Sequence, residues 1–297
     1  DVVFQNFISS LKEEKRNEKL NNEDEFGKKV FEELCNNHER CSYTRFDDLD
    51  KIKLKLIEDF YNDRFADASD FVFSFVGDFE FDNMVTYIQK YLGNLPTINR
   101  KESYIDNKVS LNGQSRFEVK KNTEDNASVR YVFSSKYKNL AKNRAIIYLS
   151  DIILNKFLNE EIREKQKLVY SIGSFDSLSS LPKPNHLMFM YFDCDPENVQ
   201  KIINEIDKFL LKIKKGDFDN KYLEDAKKKY LNDLGISKQT NSFWTSAINQ
   251  YYFNNENFNE IKNLEKKVNL INKKDIIDYF NYTFKENFLL ASFLPKN

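Results

Sequence analysis

Two polar side chains that could stabilise a developing negative charge, Arg163 and Tyr170, lie seven residues apart in this chain. They belong to the segment REKQKLVYS, which starts as the end of a predicted helix and finishes as a predicted strand. An arginine presents fixed N–H donors and a tyrosine an O–H donor, so a peptide carbonyl could accept from both and its oxyanion could be stabilised. Structural preference alone also explains the pair, because arginine favours the last turn of a helix and tyrosine favours strands.

Metal-binding residues are scarce in this sequence. The only histidines are His38 and His186, so neither His-x-x-Glu-His nor His-Glu-x-x-His can occur. Cys35, His38 and Cys41 supply three closely spaced soft ligands, but a structural zinc site normally needs four and no fourth ligand lies nearby. We therefore favour a polar helix-to-loop segment whose two thiols are free or joined in one disulfide, and keep zinc binding as the weaker alternative.

Other catalytic arrangements receive little support. Cys194 lies between two aspartates, which raise the pKa of a thiol, so we expect a core residue at a strand end. Glu160, Glu161 and Glu164 crowd the end of a long helix and are more typical of a solvated face than of acid–base chemistry, with Arg163 offsetting their charge. The chain has no Gly-x-Ser-x-Gly elbow and no glycine-rich phosphate loop.

Length and composition indicate a folded, soluble protein. The 297 residues are 40% hydrophobic and 31% charged, and the net charge of −1 argues against a general nucleic-acid binder. No apolar run approaches the roughly 20 residues that a membrane-spanning helix needs. The chain starts neither with a signal peptide nor with Met, which fits a mature terminus or an excised fragment, and the similarity between the two ends of the chain favours a fragment.

Hydrophobic periodicity predicts long helices and short strands. The helix at 46–65 has Asp47 or Asp48 as its expected N-cap, and the run at 70–79 reads as a buried strand. Further strands are predicted at 115–121, 127–135, 168–175, 186–194 and 288–294, and further helices at 4–17, 25–34, 81–96, 139–166, 196–216, 218–234, 240–253 and 272–284.

The two ends of the chain resemble each other, since both read helix, helix, helix, strand. This repeat predicts an α+β protein with a duplicated module whose first copy is truncated. Residues 1–96 would be the tail of the truncated module, 97–113 a linker and 114–297 a complete module. Because the strand at 71–76 has no neighbours within the first copy, we expect it to pair with another chain, to pair non-natively, or to lie at an exposed edge.

The segment REKQKLVYSIGSF, which starts at Arg163, resembles the signature of the pitrilysin/insulinase family of zinc metallopeptidases, and more narrowly its bacterial four-module members. The segment FSFVGDFEFDNMVTYIQKYLGNLP at 73–96 is similar to the strand and helix that end a module in that family. The resemblance implies related α+β modules, two per half, that close as a clamshell. Each complete module would hold an antiparallel-rich mixed sheet packed against several long helices.

One half of such proteases carries His-x-x-Glu-His and zinc, while the other contributes an Arg and a Tyr that match Arg163 and Tyr170. By resemblance, these two bind the carbonyl of the scissile region and stabilise the tetrahedral intermediate, and Ser171 helps to line the substrate chamber. This chain would then be the inactive C-terminal part of a zinc metalloendopeptidase. Its expected partners are a peptide or unfolded protein and the zinc-bearing N-terminal half of the same polypeptide. The alternative is a non-catalytic scaffold or partner subunit of the same fold. Similar bacterial proteins suggest the periplasm.

Overall fold

The computed structural model describes residues 1–18, 22–42, 46–285 and 287–296. None of the helices in these ranges is long and apolar enough to cross a membrane. The α-helices are α1 Val2–Glu18, α2 Asn22–Leu34, α3 Leu54–Phe65, α4 Phe81–Tyr91, α5 Ala141–Phe157, α6 Val199–Lys214, α7 Asn220–Ser237, α8 Asn241–Phe253, α9 Asn259–Lys262, α10 Leu264–Leu270 and α11 Lys273–Thr283. The strands are β1 Gln114–Asn122, β2 Ala127–Lys136, β3 Ser171–Ser179, β4 Asn185–Cys194 and β5 Phe288–Pro295.

The five strands form one mixed sheet in the order β1-β5-β2-β4-β3. Only β1 and β5 run parallel, whereas β5–β2, β2–β4 and β4–β3 are antiparallel pairs. The predicted α+β fold, with an antiparallel-rich mixed sheet packed against long helices, is therefore confirmed. The predicted domain boundaries stay a prediction.

The two faces of the sheet are covered differently. Alternate residues of β4, from His186 to Cys194, are buried against the helices α5, α6 and α11, and this helix-covered face holds the main core. On the other face, α2 lies over β1 and β5, and its Phe26 and Val30 pack with Val132 and Phe293. The β3–β4 side of that second face is more open, and we call it the open face.

The segment between α5 and β3 departs from the predicted single helix at 139–166. After Phe157 the chain continues as a π-helix, Leu158–Lys165. Lys167 then adopts a positive φ of 55°, and β3 starts at Ser171 rather than at residue 168. Because π-helical turns occur often at functional sites, this corner is a candidate functional site.

Two predictions near the N-terminus are wrong. A 3₁₀ turn at Phe46–Lys51 precedes α3, and Lys53 rather than Asp47 or Asp48 occupies the N-cap. Residues 71–76 join no sheet within the described ranges, and Phe71, Phe73 and Phe75 are 38–47% exposed rather than buried. A strand needs neighbours for its backbone groups, and the first copy of the repeat supplies none.

Candidate functional site

The corner between the π-helix and β3 carries both predicted site residues. Arg163 is exposed on the π-helix, and no hydrogen bond or ion pair joins its guanidinium to another described residue. Tyr170 is 59% exposed, and its backbone N–H donates to the carbonyl oxygen of Asp193 at 2.8 Å. That bond fixes the tyrosine backbone to the end of β4. The structure therefore places an available cation and an anchored phenol at one corner.

The phenol of Tyr170 is held as a hydrogen-bond donor. Its Oη donates to Oδ1 of Asp195, and this hydrogen bond raises the pKa of Tyr170 above its usual value. The group therefore stays protonated at neutral pH and can donate an O–H. To reach a substrate carbonyl, the hydroxyl must exchange its partner, because its O–H donates to Asp195 in this state.

The acidic residues at the end of the long helix pair with lysines instead of with Arg163. Lys165 contacts Glu161 at 2.6 Å, and Lys156 lies 3.9 Å from Glu160. These are solvent-facing pairs that contribute little to stability. Their geometry agrees with the predicted solvated face and leaves Arg163 free for another anion or carbonyl.

Ser171, the third predicted site residue, follows Tyr170 as the first residue of β3. Its Oγ donates to Oδ2 of Asp193 at 2.5 Å, and Ser128 Oγ donates to the other oxygen of the same carboxylate. The hydroxyl proton of Ser171 is thus directed at Asp193, and its remaining capacity is that of an acceptor.

The cysteine and metal predictions also have a structural outcome. Cys194 is fully buried, and burial, followed by the nearby Asp195 and Asp193, raises the pKa of its thiol to about 12, so it is a core residue. Cys35 and Cys41 form a disulfide, and thus neither is available as a thiolate ligand. Among the described residues no group of three or more His, Cys, Asp or Glu side chains is arranged to hold a metal ion.

A buried polar cluster on the helix-covered face was not predicted from the sequence. His186 is fully buried, and its Nε2 lies 2.6 Å from Oδ1 of Asp176 while its Nδ1 lies 3.3 Å from Oγ of Ser135. The three residue types are those of a serine hydrolase. However, an imidazole with no exposed surface cannot act as a general base on a bound substrate, so the arrangement is structural.

The same cluster extends along α5 towards a cavity of about 660 Å³ that is lined by Asp151, Asp176 and Arg144. Asp151 accepts hydrogen bonds from Ser174 Oγ and from Asn155 Nδ2, and burial raises its pKa to about 7 despite these donors. Alternation along β4 places His186 on the buried face with Met188 to Cys194. A buried histidine needs a polar partner, so the position of His186 in this alternating pattern was the one feature of the sequence that indicated the cluster.

Comparison with known proteins identifies the family. The family described as "Peptidase M16 inactive domain" matches residues 51–230, which is more than half of the chain. The chain therefore belongs to the peptidase M16 inactive-domain family, and the predicted membership of the pitrilysin/insulinase group is confirmed. Among curated proteins, none matches the sequence significantly.

Solved structures with this fold include much longer proteases. The periplasmic protease PqqL from Escherichia coli superposes with a TM-score of 0.81 at 17% identity, covering 98% of this chain and 33% of that chain. A mutant of the ferredoxin protease FusC, solved in complex with Arabidopsis ferredoxin, gives 0.81 at 14% identity, covering 99% and 32%. A peptidase M16 inactive domain from Pseudomonas fluorescens gives 0.75 at 15% identity, covering 98% and 71%. The chain thus spans about a third of the length of the first two.

Proposed function

We propose that this chain is the non-zinc part of an M16 zinc metalloendopeptidase. In this proposal it holds a peptide substrate and contributes Arg163 and Tyr170 to an active site that another part of the same polypeptide completes. The observation that carries the proposal is the corner itself. An exposed guanidinium without a partner among the described residues and a protonated phenol stand on a fixed turn beside a sheet edge.

The chemistry of the pair suits the task. A scissile carbonyl gains negative charge as it becomes tetrahedral, and donors directed at that oxygen lower the barrier. Arg163 would add positive charge and Tyr170 a directional O–H. Tyr170 would leave Asp195 for the substrate, so the carboxylate keeps the phenol oriented and protonated until substrate arrives.

Zinc does not fit the described residues of this chain. Imidazoles are the usual zinc ligands in peptidases, yet His186 is buried against Asp176 and Nδ1 of His38 accepts a hydrogen bond from the N–H of Arg40. The metal and its catalytic base would therefore belong to another part of the polypeptide, and the isolated chain would be inactive. The length of PqqL and FusC supports a longer whole protein.

The exposed apolar surface of the first module supports the same conclusion. Phe71, Phe73 and Phe75 stand on an extended segment without a sheet, and the adjacent α3 exposes Phe60 and Tyr61. In the second module the equivalent strand, β5, is buried between β1 and β2. We infer that residues 71–76 complete a sheet whose other strands lie elsewhere in the polypeptide.

The experiment uses the full-length protein with Arg163→Ala and Tyr170→Phe, assayed on a fluorogenic peptide alongside zinc analysis. Loss of one oxyanion donor should lower kcat by about 10²–10³-fold, while the zinc content stays that of the unmodified protein. Tyr252→Phe is the matched control, since this exposed tyrosine lies on α8. Unchanged turnover in both variants would refute the role and favour the scaffold alternative.

A further inference from the structure

Three aromatic side chains lie together on the open face of the sheet. Phe175 on β3 and Phe189 on β4 are paired across the ladder, and their rings stack with centroids 4.6 Å apart at 4°. The ring of Tyr191 lies 6.3 Å from that of Phe175. We call Phe175, Phe189 and Tyr191 the aromatic shelf. Phe175 is 49% exposed, so a large apolar ring faces solvent.

Gly173 allows the shelf to extend towards the candidate site. It pairs with Tyr191, and a Cβ at this position would lie 2.7 Å from Oη and 2.9 Å from Cζ of that ring. The tyrosine ring can therefore lie across the backbone of β3 only because residue 173 has no side chain. Ser171, Gly173 and Phe175 share one face of the strand, since side chains alternate. The shelf and Ser171 thus belong to one continuous surface.

A groove of about 810 Å³ runs along this surface. Its floor holds the shelf together with Arg130, and its far wall is made by Phe26 and Val30 of α2. The rim carries one acidic residue of α1, two acidic residues of α2 and one lysine of α2: Glu14, Glu23, Asp24 and Lys28. Arg130 donates to the carbonyl oxygen of Val129 at 3.1 Å. The groove therefore has a largely aromatic floor that also holds the Arg130 guanidinium, and its rim carries more acidic than basic side chains.

We propose that the aromatic shelf is a substrate subsite that binds an aromatic side chain of an extended peptide, with a neighbouring Lys or Arg against the acidic rim. This inference rests on the proposed function and adds a substrate class to it. The groove volume of about 810 Å³ is within the range of ligand-binding pockets. Ring stacking favours an aromatic occupant over an aliphatic one of equal area. The rim supplies the charge complementarity for a basic neighbour.

The geometry also predicts how many residues separate that aromatic side chain from the cleaved bond of the peptide. Phe175 follows Ser171, which is the first residue of β3 and the neighbour of Tyr170, by four residues on the same face. A strand rises about 3.3 Å per residue, so these two positions lie roughly 13 Å apart along β3. An extended peptide has a similar rise. Its aromatic side chain would therefore lie four or five residues from the bond that Arg163 and Tyr170 contact, on one side of the bond only.

The test measures cleavage by the full-length protein of peptides in which Phe replaces Ala at one position at a time. We expect about tenfold higher kcat/KM when Phe stands four or five residues from the cleaved bond, and no preference at other distant positions. Phe175→Ala should reduce that preference to less than threefold. Phe175→Leu should give an intermediate value, because it keeps apolar area but loses the stacked ring. Tyr252→Ala, which removes an exposed ring from α8, should leave the preference unchanged.

Failure of this inference and failure of the proposed function give different results. Arg163→Ala should slow cleavage of the Phe and Ala peptides equally and leave their ratio intact. A preference that persists in Phe175→Ala overturns the subsite, whatever Arg163→Ala does. Absence of any positional preference in the unmodified protein also overturns it. The subsite is also overturned if residues 1–297 bind the Phe peptide and the full-length protein does not, since another part of the polypeptide would then cover the shelf.

Discussion

Asp151 should make the folded protein less stable as the pH rises through neutrality, and Asp151→Asn should remove this dependence. The carboxyl lies against the cavity between α5 and β3, where burial raises its pKa from 3.8 to about 7. The folded protein therefore holds this proton to a higher pH than the unfolded chain does. The resulting stabilisation is fully present below about pH 4 and is lost as the pH rises through about 7.

The magnitude follows from the size of the pKa difference. One pKa unit corresponds to about 1.4 kcal/mol, so a shift from 3.8 to about 7 corresponds to about 4 kcal/mol. An asparagine has the shape of the protonated carboxyl, and its Oδ1 can keep the hydrogen bonds from Ser174 and Asn155. We expect the variant to gain about 2–4 kcal/mol over the unmodified chain between pH 4 and pH 8.

The assay is reversible urea unfolding of both proteins at several pH values in that range. Taking the difference between the two removes the contributions of the other carboxylates, which are common to both. The part of this difference that is the same at every pH reports only local packing, so the prediction concerns the part that changes with pH. A difference that does not change with pH, or an NMR titration that places the pKa of Asp151 near 4, would show that the folded protein does not hold this proton to a higher pH.

Two further predictions concern stability and exchange. Glu256→Gln should destabilise the fold by about 3 kcal/mol in urea unfolding, because it breaks the bidentate ion pair between Glu256 and Arg144. The two contacts of this pair are 2.8 Å long, and both side chains are nearly buried. As the control, Asp278→Asn breaks an exposed ion pair with Lys274 and should cost less than about 0.5 kcal/mol. Amides of residues 71–76 should exchange rapidly with deuterium in residues 1–297 and become protected in the full-length protein, and equal rates in both would contradict their proposed place in a second sheet.

Much of the fold could be predicted because the hydrophobic residues of most helices and strands recur at the period of that element. The stripe of α6 from Ile202 to Ile213 is buried as its spacing requires, and β4 alternates along its whole length. The π-helix could not be predicted, because Leu158 and Ile162 continue the apolar spacing of α5 and give no sign of a wider turn. Residues 71–76 have the composition of a buried strand, but composition does not state whether a partner is present.

The candidate site was only partly visible in the sequence. Arg163 and Tyr170 are close in sequence, so their spacing alone could suggest a pair. Asp176 and His186 meet through the register of two neighbouring strands, in which Leu178 is opposite His186 and Asp176 is opposite Met188. Such contacts depend on pairing that local patterns do not specify. The aromatic shelf depends in addition on Gly173, whose importance appears only once Tyr191 is placed over it.

We propose that Arg163 and Tyr170 recognise the transition state rather than the ground-state substrate. The most direct measurement compares the affinity of the full-length protein and its Tyr170→Phe variant for a phosphinic peptide, which mimics the tetrahedral intermediate, and for an uncleaved peptide of the same sequence. We predict that the variant loses about 100-fold in affinity for the phosphinic peptide and less than about threefold for the uncleaved one. Equal losses for both ligands, or no loss for either, would show that Tyr170 does not act on the tetrahedral intermediate.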